Sequence, residues 1–231
     1  MRLLHIQDEA RGDRPLRLSL CDFIGSQDER PRYAILSHRW REEEILFADM
    51  TGNRTVAQAK QGYRKLEASC KVALEHNLHY LWCDTCCIDK SSSAELSEAI
   101  NSMYEYYAKS QLCIAYLDDV DDHPPDNSYF SRAIWFTRGW TLQELIAPRD
   151  LHFYSQGWQK LGTKATLSRQ TSIASGIDER ILSGAALDNT CVSEKMSWAA
   201  RRTTTRPEDR AYSMMGLFGV HMSPLYVHLQ Q

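Results

Sequence analysis

The chain has 231 residues, 43% hydrophobic and 25% charged, with a formal net charge of −3; that length can bury a substantial core, and that balance excludes a chain disordered over most of its length. The small negative charge argues against a general nucleic-acid binder, which needs a basic surface to neutralise phosphates. No apolar run approaches the ~20 residues that span a bilayer, and the start, Met1 to Asp8, turns polar too soon for a signal peptide. The reading is therefore cytoplasmic, without membrane or nucleic-acid partners.

In chain order, Leu3 to Ile6 predicts a short strand, and Leu16, Leu18 and Leu20, alternating with polar neighbours, predict a second over Leu16 to Phe23. Gly25 to Pro31 is a polar break. Tyr33-Ala34-Ile35-Leu36-Ser37 is a compact apolar run of a buried strand, and it delivers His38-Arg39-Trp40 to the point where the chain leaves the sheet. Tyr63, Leu66, Cys70, Ala73 and Leu74 recur at helical spacing and predict an amphipathic helix over Gly62 to Asn77.

Tyr80 to Cys83 predicts the next strand, running directly into Asp84-Thr85-Cys86-Cys87-Ile88-Asp89-Lys90. After Ser91-Ser92-Ser93, a loop and helix start, Leu96, Ile100, Met103, Tyr104 and Tyr107 share one helical face. Leu112 to Leu117 is a continuous apolar strand of the kind covered on both faces. Asp118 to Asp126 reads as a solvated acidic loop; it lacks the glycine and closing glutamate of a calcium loop.

The segment Trp135 to Pro148 concentrates indoles, Arg138 and Glu144 in a short apolar stretch. Thr141 is read as the cap of a helix over Thr141 to Ala147 that Pro148 stops. Taken alone, Glu144 is an ordinary solvent-facing glutamate on a packing helix. Leu151 to Tyr154 supplies a fourth strand of this core. The alternation of strand and helix from Tyr33 predicts a parallel sheet with right-handed crossovers, in which ligands bind beyond the carboxyl ends of the strands. Ser37 to Trp40, Asp84 and the Glu144 segment all fall at or after such ends. From about Gly162 the texture turns to helices and turns, so we divide the chain into an α/β core (1–161) and a helical extension packed on it (162–231). Arg201, Arg202, Arg206 and Arg210 there are read as internally ion-paired, because Glu208 and Asp209 stand among them.

Seven cysteines, three of them crowded as Cys83, Cys86 and Cys87, suit reduced thiols better than a disulfide framework. No second ligand pair stands at zinc spacing, so no metal is expected. No Gly-x-Gly-x-x-Gly or Walker loop occurs, which speaks against hydride transfer and triphosphate hydrolysis.

The ordered blocks Tyr33 to Trp40, Trp82 to Lys90, Ala94 to Met103, Trp135 to Pro148, Trp198 to Arg201, Thr205 to Tyr212 and Gly216 to Phe218 together resemble the fungal heterokaryon-incompatibility (HET) domain, a module of non-self recognition and regulated cell death. That family is similar in turn to Toll/interleukin-1 receptor (TIR) domains, which implies a TIR-like (flavodoxin-like) parallel sheet flanked by helices, with the helical extension added. Some TIR domains hydrolyse NAD through a glutamate in a Trp-containing motif; Trp140 to Glu144 is similar to that motif, with Glu144 in the glutamate's place. The family pattern continues from Leu-Tyr into Gly-Glu-Gly, whereas Tyr226 is followed here by Val227 and His228, the expectation for a truncated or stand-alone version.

The resemblance implies NAD as substrate rather than cofactor, Glu144 as the catalytic carboxylate, and self-association as the activating event. Trp40 and Trp140 would stack on nicotinamide or adenine, with ordinary aromatic packing the alternative; Arg39 and Arg138 would meet the pyrophosphate or pair with nearby acids; Asp84 would position a loop or a hydroxyl or serve as a turn residue; and Ser37 and His38 would line the pocket. A Ser37–His38 nucleophilic pair is disfavoured, because adjacent strand residues point to opposite faces. A non-catalytic signalling adaptor and a nucleotide-sensing module are the alternatives.

Overall fold

A computed structural model describes residues 1–7, 16–24, 30–123 and 127–224, with the backbone alone for Arg54 and Asn127. Most of the polar break at 25–31, residues 124–126 of the acidic loop and the tail containing Tyr226 lie outside the described residues.

Seven strands form one sheet: β1 (Arg2–Gln7), β2 (Arg17–Asp22), β3 (Ala34–His38), β4 (Tyr80–Trp82), β5 (Leu112–Tyr116), β6 (Leu151–Tyr154) and β7 (Lys160–Thr163), in the spatial order β2-β1-β4-β3-β5-β6-β7. The four central strands are parallel. The flanking hairpin β1–β2 and the last strand β7 run antiparallel to their neighbours. The continuous apolar reading of the middle strands follows from burial on both faces: every residue of β3 is buried, including Ser37 and His38.

The helices between the strands are α1 (Phe47–Thr51), α2 (Arg54–Ala59) and α3 (Gln61–Glu75) after β3, α4 (Ser93–Lys109) after β4, and α5 (Asn127–Ser131) and α6 (Thr141–Ile146) after β5. Among β3 to β6 the order is second-first-third-fourth, so the chain reverses direction across the sheet at β3. Right-handed crossovers then put α3 on one face and α4 with α6 on the other. Tyr107 of α4 donates its hydroxyl to the Leu36 carbonyl at 3.1 Å, and Tyr33 donates to the Tyr106 carbonyl at 2.6 Å, which fastens α4 over β3.

Beyond β7 come α7 (Ser168–Ser175), α8 (Glu179–Leu182), α9 (Val192–Ala200), α10 (Asp209–Tyr212) and α11 (Met215–Phe218). Trp198, Met214 and Leu217 from this part are buried in the same core as the sheet strands. β7 was not anticipated from the sequence. It is four residues long, contains Gly162 and lies at the sheet edge, where one-sided pairing leaves little hydrophobic pattern.

The acidic loop lies at the surface, with Asp119 and Asp121 exposed, and its carboxylates also hold neighbouring segments. Asp118 pairs with Arg39 and Arg41, Asp119 accepts the Ile134 amide, and Asp122 accepts the Ser155 hydroxyl and the Gly157 amide. Its carboxylates tie the turn after β5 to the segments after β3 and β6.

Candidate functional site

The polar residues at the strand ends converge on a cavity of about 910 Å3. Its walls come from the end of β3 (Leu36, His38) with Trp40, from Asp84, Ile88 and Lys90 beyond β4, from one face of α4, from Arg138 to Glu144, and from Thr203 to Arg206 of the helical extension. The α4 face is Leu96, Ile100, Met103 and Tyr107, four of the five residues whose spacing marks an apolar stripe in the sequence. That stripe covers the sheet and also lines the site.

Glu144 lines this cavity as a buried carboxylate, 8% exposed. α6 is six residues long and all six are buried, so the glutamate cannot reach bulk water as a lone packing-helix glutamate would. The Trp135 indole N–H donates to Ser37 Oγ at 2.8 Å, and the Ser37 hydroxyl donates in turn to Glu144 Oε2. Trp135 is itself fixed edge-on by Phe136 and Phe153. Burial pushes the Glu144 carboxyl up to about 7; the Ser37 hydrogen bond opposes this, Asp84 reinforces it, and Arg138 and Tyr107 oppose it.

Thr141 does not cap α6. Its hydroxyl donates backwards to the Trp135 carbonyl at 2.6 Å and to the Arg138 carbonyl at 3.0 Å, and Trp140 occupies the N-cap position with no side-chain cap bond. The other end of α6 is held by Lys164, whose ammonium donates to the carbonyls of Leu145 and Pro148. Burial lowers the Lys164 pKa to about 8.

Around the mouth, Trp40 donates its indole N–H to Asp84 Oδ2 at 2.9 Å, and Lys90 Nζ sits 3.5 Å from the centre of the Trp40 ring. One face of Trp40 is thus covered by a cation, and only the other is open to stacking. His38 Nε2 lies 3.5 Å from Asp84 Oδ1. Burial, helped by Lys65, Lys90 and Arg138, holds the His38 pKa well below 6.5, so this is a neutral imidazole beside a carboxylate and not an ion pair. Arg138 lines the cavity with no carboxylate at ion-pair distance among the described residues.

His38, Trp40, Asp84, Arg138, Trp140 and Glu144 therefore line one cavity, and Ser37 sits behind it as the hydroxyl that holds Glu144. Arg39 does not join them. Its guanidinium turns to Asp118, with Nη2–Oδ1 at 2.9 Å, and is absent from the cavity walls.

Sequence reasoning missed the contribution of the extension. Arg202 is 5% exposed and donates through Nη1 to the Arg138 carbonyl and Thr141 Oγ1, both at 2.9 Å, and through Nε to the Trp198 carbonyl at 3.1 Å. The sequence reading makes it internally ion-paired; its hydrogen-bond partners are instead backbone carbonyls and a hydroxyl. Thr203 and the 137–139 segment exchange backbone bonds of 2.7 and 2.8 Å. Gly139 is required at that seam, since a Cβ there would stand 2.4 Å from Thr204 Cγ2. Nothing in the local pattern of Arg201-Arg202-Thr203 announces this contact.

An α/β sheet with this cavity at the carboxyl ends of its strands is the setting in which the comparisons with known proteins fall. Residues 33–132 match the family model "Heterokaryon incompatibility protein (HET)", and the chain carries a HET domain. It is similar to the Vegetative incompatibility protein HET-E-1 of Podospora anserina, 42% identical over 205 residues, which is 85% of this chain and 15% of that protein's length. No solved structure matches. The family match takes in β3, β4 and α4 and stops before Glu144, whereas the 205-residue similarity spans most of the chain. Among the described residues no helix is long and apolar enough to cross a membrane.

Proposed function

We propose that the chain is a cytoplasmic effector of heterokaryon incompatibility that hydrolyses NAD, releases nicotinamide and thereby brings about regulated cell death, with self-association as its activating step. The observation that carries this reading is Glu144: a carboxylate buried in the wall of a cavity of about 910 Å3, oriented by Ser37 and Trp135 and accompanied by aromatic and cationic groups.

Breaking the bond between nicotinamide and ribose develops positive charge on the ribose while the departing pyridine becomes neutral. A carboxylate shielded from water stabilises that charge more in the transition state than in the ground state, which is the requirement for catalysis. Water then adds to the ribose carbon and gives up a proton. Glycosidases meet a related transition state with two carboxylates; here the good leaving group lessens the need for a general acid. Asp84 is at hand for a ribose hydroxyl, Arg138 for the pyrophosphate, and Trp140 and the open face of Trp40 for the rings. The second-first-third-fourth order of the parallel strands supports a flavodoxin-like, and so TIR-like, arrangement, and a cavity beside the reversal of strand order is where such sheets bind nucleotides. The Podospora relative, a vegetative incompatibility protein, supports the biological setting.

The test is nicotinamide release from NAD by concentrated protein, comparing wild type with Glu144→Gln. Release from wild type should fall by about 100-fold or more in the variant, the scale of losing a main electrostatic stabiliser. Because the ionised form acts, wild-type release should rise about tenfold between about pH 6 and about pH 8, as a carboxyl with pKa about 7 deprotonates. Equal release from both proteins would remove Glu144 from catalysis; no release from wild type, with cell killing intact in the variant, would make the domain an adaptor.

A further inference from the structure

We infer that His38, Cys83 and Asp84 form a binding site for one zinc-type divalent cation at the wall of the cavity, with a fourth coordination position open to it. The three donor atoms all lie within 4.8 Å of one another. Tetrahedral zinc, with bonds of about 2.0–2.3 Å, holds its donors roughly 3.3–3.8 Å apart, so the trio has to contract by about an ångström. A nitrogen, a sulfur and a carboxylate oxygen form a donor set of intermediate softness, which favours zinc over magnesium or calcium.

A second observation points to a ligand independently of that clustering. The His38 side chain is 1% exposed, and neither ring nitrogen hydrogen-bonds any described protein group. Most buried side-chain polar atoms have a hydrogen-bond partner; here both ring nitrogens lack one among the described residues, and Nε2 faces the Asp84 carboxylate at 3.5 Å, too long for a good hydrogen bond and the separation expected of two atoms sharing a metal.

The surroundings fit. Asp84 Oδ2 is held by the Trp40 indole, leaving Oδ1 to coordinate, and Cys83 Sγ contacts Thr85 Oγ1 at 3.1 Å; outer contacts of this kind fix ligands in metal sites. The Cys83 thiol gives up its proton to solvent on binding, and thiolate plus aspartate balance the dication. Lys65, Lys90 and Arg138 oppose a cation here, while Glu144, whose carboxyl feels the Asp84 charge, favours one. His38 and Asp84 line the cavity and Cys83 does not; the fourth position is assigned to the cavity side because two of the three ligands stand in its wall. The site was invisible in the Cys83-Cys86-Cys87 pattern, because its third ligand comes from the end of a different strand.

The experiment titrates the full chain, stripped of metal and kept reduced, with Co2+ and then Zn2+. Wild type should bind one ion with a thiolate-to-cobalt charge-transfer band that Zn2+ removes, and Zn2+ should raise its melting temperature. Cys83→Ser should lose the band, and His38→Gln and Asp84→Asn should bind at least ~10-fold more weakly. Glu144→Gln should keep the band, so the site stands or fails separately from NAD hydrolysis. Absence of cobalt binding by wild type, persistence of the band in Cys83→Ser, or wild-type affinity in both His38→Gln and Asp84→Asn would each overturn the assignment. Should Cys83→Ser not fold, the other two variants decide, Asp84 having an accessible side chain whose amide form preserves its shape.

Discussion

Burying a carboxylate costs free energy that its hydrogen bonds offset only in part, and Glu144 shows that cost in its raised pKa. Its carboxyl stays protonated up to about 7, whereas in the unfolded chain it ionises near 4.5. The unfolded state therefore binds fewer protons between those values, and the folded state's advantage, full below about pH 4.5, is lost as pH rises through about 7. The loss is of the order of 3 kcal/mol. Glu144→Gln keeps the shape and an acceptor for Ser37 without the charge, so by urea unfolding it should match wild type at about pH 5 and exceed it by about 1–3 kcal/mol at about pH 8. Parallel pH curves for the two proteins would show that Glu144 titrates normally. Ser37→Ala removes the largest of the contributions that hold the Glu144 pKa down, the hydrogen bond from its hydroxyl, and strands the Trp135 N–H, costing about 1–3 kcal/mol. It should also move the pH midpoint of nicotinamide release upward, a shift that a purely structural role would not produce.

At the scale of elements, α4 does two jobs with one stripe, covering β3 through Tyr106 and Tyr107 and lining the cavity with Leu96, Ile100 and Met103. Its start is set by Ser92, whose Oγ accepts from the Glu95 amide at 3.3 Å. Ser92→Ala should cost about 1 kcal/mol in thermal or chemical unfolding, with no change in the Glu144 titration; a larger loss would mean the cap also supports the neighbouring cavity wall at Ser91 and Ser93. α6 depends less on its own sequence. It is too short to be stable alone, has no side-chain cap at its start, and is held between Thr141's backward bonds and the Lys164 ammonium. Glu144 is thus placed by groups on both sides of it in sequence.

For the molecule as a whole, the helical extension completes the site. Arg202 joins α9 to the turn that starts α6, and Thr203 to Arg206 form a wall facing α4. Arg202→Ala leaves Thr141 Oγ1 without its donor, takes one of two donors from the Arg138 carbonyl and opens a cavity, so unfolding free energy should drop by about 2–4 kcal/mol. In the proposed reaction nicotinamide release should fall with it, since α6 loses its support. Unchanged stability would mean that the extension rests on the core without holding it.

The sequence by itself determined the alternation of strands and helices from Tyr33 to Tyr154, because buried parallel strands and amphipathic helices leave unmistakable patterns of apolar residues. It also marked the strand ends, where Ser37, His38, Asp84 and Glu144 follow apolar runs, as the place for a site. Only the tertiary structure decided which polar residues meet. Arg39 and Arg138 look alike in sequence, yet one is held by Asp118 and the other faces the cavity. Arg202, placed among charged neighbours, is buried against backbone carbonyls, and His38 comes beside Cys83 and Asp84 only because β3 and β4 are adjacent. Hydrophobic periodicity is a property of neighbours along the chain, whereas the partner of a polar side chain is set by the packing of elements distant in sequence.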